Sequence, residues 1–160
     1  ICPCGRIKLW HGMVNSSQNS QHIFDWYTPS HIIHGILLYA VLQFVFPKLP
    51  VMQRFLIALG IEVAWEILEN TPLVVERYRS GTISLGYQGD SIVNSVADAL
   101  AMSFGFFLAS RLPVAISVLL VIVLELFVVY FVRDNLFLNV LMLLHPLDPI
   151  REWQAALPSR

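Results

Sequence analysis

His31 and His34 stand three residues apart in a stretch otherwise almost free of charge. Glu62, Glu66 and Glu69 follow the spacing i, i+4, i+7, which is one face of a helix. Asp90, Asn94 and Asp98 follow i, i+4, i+8, again one face. Imidazole and carboxylate together suit zinc, iron or manganese, and helix bundles build such sites from inward-facing Glu and His. His31, His34, Glu66 and Glu69 are therefore the candidate ligands of a divalent metal. Asp90 and Asp98 are the candidate catalytic carboxylates, as base or orienter. A metal in such a place could activate water against a lipid or headgroup ester. The order of residues matches no common metal motif: neither His-Glu-x-x-His nor Glu-x-x-His occurs.

Two other readings use the same residues. In the first, the polar groups form a hydrogen-bonded core, with Arg77 or Arg79 folded in to pair with Glu66, Glu69 or Asp90. Such a core could still hold a lipid headgroup. In the second, acids and histidines in a row relay protons. That path is poorly supplied, because the far half of the spans offers mainly Gln43, Gln53 and Ser117.

The elements that must position these groups are hydrophobic. Of the 160 residues, 56% are hydrophobic and only 13% charged, and the mean hydropathy is +0.65. A soluble domain carries about a quarter charged residues, so the composition is that of a multi-pass membrane protein. The formal net charge of -1 gives a nucleic-acid role no support. Four apolar stretches, about 29–46, 51–70, 90–110 and 113–132, each approach the length needed to cross a bilayer core.

Four crossings put the segment before the first span, the 71–89 loop and the tail on one side. His31, His34, Glu66, Glu69, Asp90, Asn94 and Asp98 then gather in one leaflet. Lipid cannot hydrogen-bond them, so their stripes have only one another to face. The expected fold is an all-α integral membrane protein, a bundle of four transmembrane helices plus a short interfacial helix. Residues 1–28 form an extramembrane segment, 29–135 the membrane domain with its loop at 71–89, and 136–160 the interfacial helix and tail. Trp26, Tyr27 and Trp153 read as interfacial aromatics, and Gly105 with nearby small residues as a helix contact. The two cysteines, Cys2 and Cys4, could form a disulfide, ligate a shared metal or carry a lipid. The chain starts at Ile1 rather than Met, so either something has been removed or an N-terminal piece is absent.

Four runs carry a family resemblance: Cys2–Gly12, Asp25–Gly35, Glu62–Pro72 and Gly86–Asp98. Together they resemble an uncharacterised family of small bacterial inner-membrane proteins, classed as a domain of unknown function. The resemblance implies a multi-pass bacterial membrane protein with a further N-terminal hydrophobic helix, the fifth of the intact bundle. It implies no activity. The Asp90 and Asn94 pair at the start of a helix is also similar to VanZ-like membrane proteins. Two functional readings follow. One is a polar intramembrane pocket near one face, binding a metal or lipid headgroup with hydrolase-like chemistry. The other is a non-catalytic accessory subunit of a larger membrane complex, docked through lipid-facing helices such as Pro113–Val132.

Overall fold

Prolines set many of the helix boundaries. The computed structural model describes residue 2 and residues 4–156, and among them are seven helices. These are α1 (Thr28–Val45), α2 (Val51–Glu69), α3 (Pro72–Gly81), α4 (Ile92–Ala109), α5 (Val114–Val132), α6 (Leu136–Leu144) and α7 (Asp148–Ala155). Proline occupies the first turn of α1, α3 and α7, where its missing N–H costs nothing. Pro50 and Pro113 stand immediately before α2 and α5. Ser91 caps α4: its Oγ accepts from Asn94 N–H at 3.2 Å.

Among the described residues the regular elements are all helices, with one isolated parallel bridge between Trp10 and Phe24 in the non-helical segment before α1. Three helices, α1, α4 and α5, are long and apolar enough to cross a membrane. α2 is equally long but carries Arg54, Glu62, Glu66 and Glu69, so composition alone does not mark it as a span.

α1, α2 and α4 pack around Leu42, Ala58, Met102 and Phe106. Phe106 sits between the rings of Tyr39 and Phe55, at 5.3 and 5.5 Å. α1 and α4 approach most closely where Gly35 and Gly105 bring backbone against backbone. α5 buries little beyond Ser117, Val128 and Val132, and its remaining surface is an apolar face.

The 71–89 segment, read from sequence as a loop, contains α3. Val74 and Val75 donate to Thr71 O and start the turn that Pro72 favours. α3 then rests on α6: Tyr78 Oη donates to Asn139 Oδ1 at 3.1 Å, and Arg77 Nε donates to Leu143 O at 2.7 Å. A cation at the end of α6 also suits the helix dipole. Glu125, inside α5, accepts from the first N–H groups of α6, Leu136 and Phe137, at 3.1 and 3.2 Å. Its carboxylate thereby satisfies donors that a helix start leaves free. The tail contributes α7, tied back by Arg133 Nη1 donating to Trp153 O at 2.6 Å.

Asp134 joins these outer elements. It accepts from Tyr27 Oη at 3.0 Å, Asn135 N at 3.0 Å, Gln154 Nε2 at 3.2 Å and Asn139 Nδ2 at 3.4 Å. Burial nonetheless raises its carboxyl from the ordinary 3.8 to about 6, outweighing hydrogen bonds that favour the ionised form. The folded chain holds this proton more tightly than the unfolded chain. Stability from this group is therefore full below about pH 4 and falls by about 3 kcal/mol as pH rises to about 6. Unfolding midpoints measured across that window should decline in the wild type, and Asp134→Asn should flatten the decline.

Candidate functional site

Each of the three packed helices turns one polar stripe inward. On α2 the buried residues are Arg54, Ala58, Glu62 and Glu66, spaced one turn apart. The stripe runs from a cation at one end to carboxylates at the other. Arg54 is held at its end by Gln43 and lies over the Tyr39 ring, 5.6 Å from its centroid. On α4 the buried face begins with Asn94, Ala97 and Asp98. α1 supplies His31, buried, and His34, half-buried one turn further on.

His31 is the centre of the group. Its Nδ1 donates to Glu62 Oε1 at 2.6 Å. The same nitrogen lies 3.7 Å from Glu66 Oε1, and Nε2 lies 3.8 Å from Asp98 Oδ2. The other Glu62 oxygen lies 3.4 Å from His34 Nδ1, so one carboxylate bridges both imidazoles. The two rings meet edge to face with centroids 5.3 Å apart.

Two triplets can each bring three ligand atoms within 4.8 Å of one another: His31, Glu66 and Asp98, all buried, and His31, His34 and Glu62. Six buried atoms of the α2 and α4 stripes lack a hydrogen-bond partner: Arg54 Nε at the far end, and, at the carboxylate end, both Glu66 carboxylate oxygens, Asp98 Oδ1 and both amide atoms of Asn94. Buried polar groups are nearly always paired, and leaving them unpaired costs about 1–3 kcal/mol each. The first triplet therefore offers carboxylate oxygens beside an imidazole, which is the donor set of a hard or borderline divalent cation.

A cavity of about 60 Å³ adjoins the group on the side of the α2 end and the α4 start. His31, His34 and Asp98 line it together with Glu69, Tyr78, Tyr87 and Asp90. Its volume is enough for a few waters. Asp90 is held in the wall by Tyr87 Oη at 3.0 Å and Asn70 Nδ2 at 3.2 Å. Its own N–H donates to Asn70 Oδ1 at 2.6 Å.

Of the residues picked out in sequence, His31, Glu66 and Asp98 come together, and His34 joins through Glu62. Glu69 and Asp90 belong to neither triplet; both are half-buried on the cavity wall. Glu62 was absent from the expected ligands, yet it makes the shortest contact to His31. Its signal was available: it lies one turn from Glu66 on the same face. Asn70, which bonds Asp90 through both amide atoms, is a further polar partner that residue type alone did not single out. Arg77 and Arg79 do not pair with the acids. Arg77 bonds the end of α6, and Arg79 bonds Tyr87 O.

With this geometry in place, residues 1–156 match a family described as a protein of unknown function, DUF2585. The UPF0314 protein of Sinorhizobium fredii is 62% identical over 157 residues, covering 98% of this chain and 80% of the relative. The UPF0314 protein of Paracoccus denitrificans is 58% identical over 157 residues, covering 98% and 81%. That of Sphingopyxis alaskensis is 52% identical over 155 residues, covering 97% and 82%. No solved structure matches. The chain belongs to the DUF2585 family of bacterial proteins.

Proposed function

We propose that this family member is a multi-pass inner-membrane protein whose α1, α2 and α4 hold a divalent metal ion. α2 is the fourth span. Glu62 and Glu66 are buried inside the bundle, while Leu56, Ile57, Ile61, Val63, Ile67 and Leu68 cover its outer surface. Lipid would meet an apolar helix. His31, Glu66 and Asp98 are the ligands, and Glu62 orients His31 as carboxylates do beside metal-bound imidazoles. His34 shares Glu62, and Glu69 and Asp90 stand on the cavity wall as carboxylates available to act as base. A metal bound there would supply Lewis acidity and an activated water, which suits hydrolysis of an ester at the headgroup level.

The observation that carries this reading is the group of unpartnered carboxylate oxygens on Glu66 and Asp98 around His31. Metal analysis of protein purified in detergent without chelator tests it. About one zinc, iron or manganese per chain is expected, with loss of that metal in His31→Ala and Glu66→Gln at unchanged helix content. Wild type that stays free of stoichiometric metal, even after growth with all three ions, refutes the reading.

The outer face of α5 favours a second reading. Leu119, Ile122, Val123, Leu126 and Tyr130 are all exposed along it, and a helix so apolar fits a partner helix as well as lipid. An accessory subunit would co-purify at fixed stoichiometry with a larger membrane complex. Native mass measurement giving only the single chain removes that reading.

A further inference from the structure

We propose that the extramembrane N-terminal segment carries a second metal site, a zinc site built from Cys2, Cys4 and His22, with His11 beside it as the fourth ligand. The segment is held in place by backbone bonding rather than by a helix. Ile23 N donates to Lys8 O, Phe24 N to Leu9 O, and His11 N to Phe24 O, at 3.2, 3.1 and 3.0 Å. This short parallel ladder lays residues 8–11 along 22–24 and brings His11 beside His22, the histidine that reaches the cysteine turn.

One sulfur from each cysteine and one ring nitrogen of His22 lie within 4.8 Å of one another. Cys2 and His22 are buried, 3% and 1% exposed, while Cys4 faces outward and leaves an entry route. The His11 ring lies 5.2 Å from that of His22, is itself only 6% exposed, and its Nε2 has no hydrogen-bond partner. A disulfide alone needs neither imidazole. Two thiolates and two imidazoles are a complete tetrahedral zinc set.

His22 can change partners at low cost. Its Nδ1 accepts from Lys8 N–H at 3.4 Å and its Nε2 donates to Gln18 Oε1 at 3.3 Å, both long. Gln18 Oε1 also accepts from Lys8 Nζ at 2.8 Å, so releasing His22 leaves it paired.

Cys2 and Cys4 are joined as a disulfide in the structure, which is the metal-free oxidised state. A dithiol reductant transfers two electrons and two protons to the sulfur–sulfur bond, giving two thiols and an oxidised cyclic disulfide. Zinc then displaces the two thiol protons and binds both sulfurs.

Cobalt(II) in place of zinc tests the site on the full chain in detergent. The protein is reduced with dithiol under argon, freed of reductant and titrated. We expect one cobalt per chain with a sulfur-to-cobalt charge-transfer band in the near ultraviolet, bleached by added zinc. Cys4→Ser should remove most of that band, and His22→Ala and His22→Asn should each weaken binding about tenfold or more. Reduced wild type that shows two free thiols but no charge-transfer band overturns the site. So does unchanged affinity in both His22 variants. The carboxylate cluster between the spans contains no sulfur and gives no such band, so failure here leaves that reading standing, and the reverse.

Discussion

Gly35→Ala should unfold the bundle at a far lower temperature than wild type, and Gly35→Leu should not assemble. A Cβ built on Gly35 would lie 1.9 Å from Met102 O and 2.6 Å from Phe106 N. One built on Gly105 would lie 2.0 Å from Ile32 O. Both obstacles are backbone, so no side chain can swing away. α1 and α4 must separate by more than an ångström, and their burial goes with the contact. Overpacking in a tight interior costs about 1–3 kcal/mol, more where the backbone must move, so about 3 kcal/mol or more is expected at either glycine. Gly60 is the control. Nothing lies within 4 Å of its added Cβ, so Gly60→Ala should be neutral or gain up to about 1 kcal/mol from helix propensity. Unfolding midpoints for the three alanine variants decide the matter. Equal midpoints for Gly35→Ala and Gly60→Ala would show that the crossing is not backbone-limited. Because His31 lies one turn before Gly35 and Asp98 two turns before Gly105, loosening this crossing should also release the metal proposed above.

The second large effect belongs to Glu62. Its two oxygens face both imidazoles, at 2.6 and 3.4 Å, and it is 2% exposed. Glu62→Leu removes the one carboxylate that, among the described residues, pairs with His34, and the nearest one to His31. Removing one partner of a buried ionic pair costs about 3–5 kcal/mol, because the other is left without compensation. Glu62→Gln keeps the shape and one accepting oxygen, so its cost should be well below that of Glu62→Leu. In the metal assay Glu62→Gln should lower affinity about 10–100-fold, as expected for a group that orients a ligand. Glu69→Gln, half-buried on the cavity wall, should change stability little. A Glu62→Leu protein as stable as Glu69→Gln would show that the carboxylate–imidazole group contributes nothing to the fold.

Much of this arrangement was legible in the residues. The helical period placed Glu62 with Glu66, and Asn94 with Asp98, because side chains four apart share a face. The apolar mass marked four stretches, of which three, α1, α4 and α5, are long and apolar enough to cross a membrane, and the prolines marked the helix starts. α3 was missed because its ten residues mix Val, Arg, Glu and Ser without a strong periodic stripe, and its stability comes from contacts with α6. Tyr27 read as an interfacial aromatic, yet its hydroxyl donates to a buried carboxylate over a hundred residues away.

The amino-acid order by itself determined which residues share a helix face and that such faces, lined with acids and imidazoles, must turn away from lipid. Periodicity fixes the angle around a helix axis. It does not fix how far one helix slides along another. That depth is set by where two backbones can touch, here at Gly35 and Gly105, and it decided that His31 meets Glu62, Glu66 and Asp98 rather than Glu69 and Asp90. The pairing of Cys2 and Cys4 with His22 was likewise invisible in the order of residues, because a short ladder of backbone hydrogen bonds in an irregular segment brings them together.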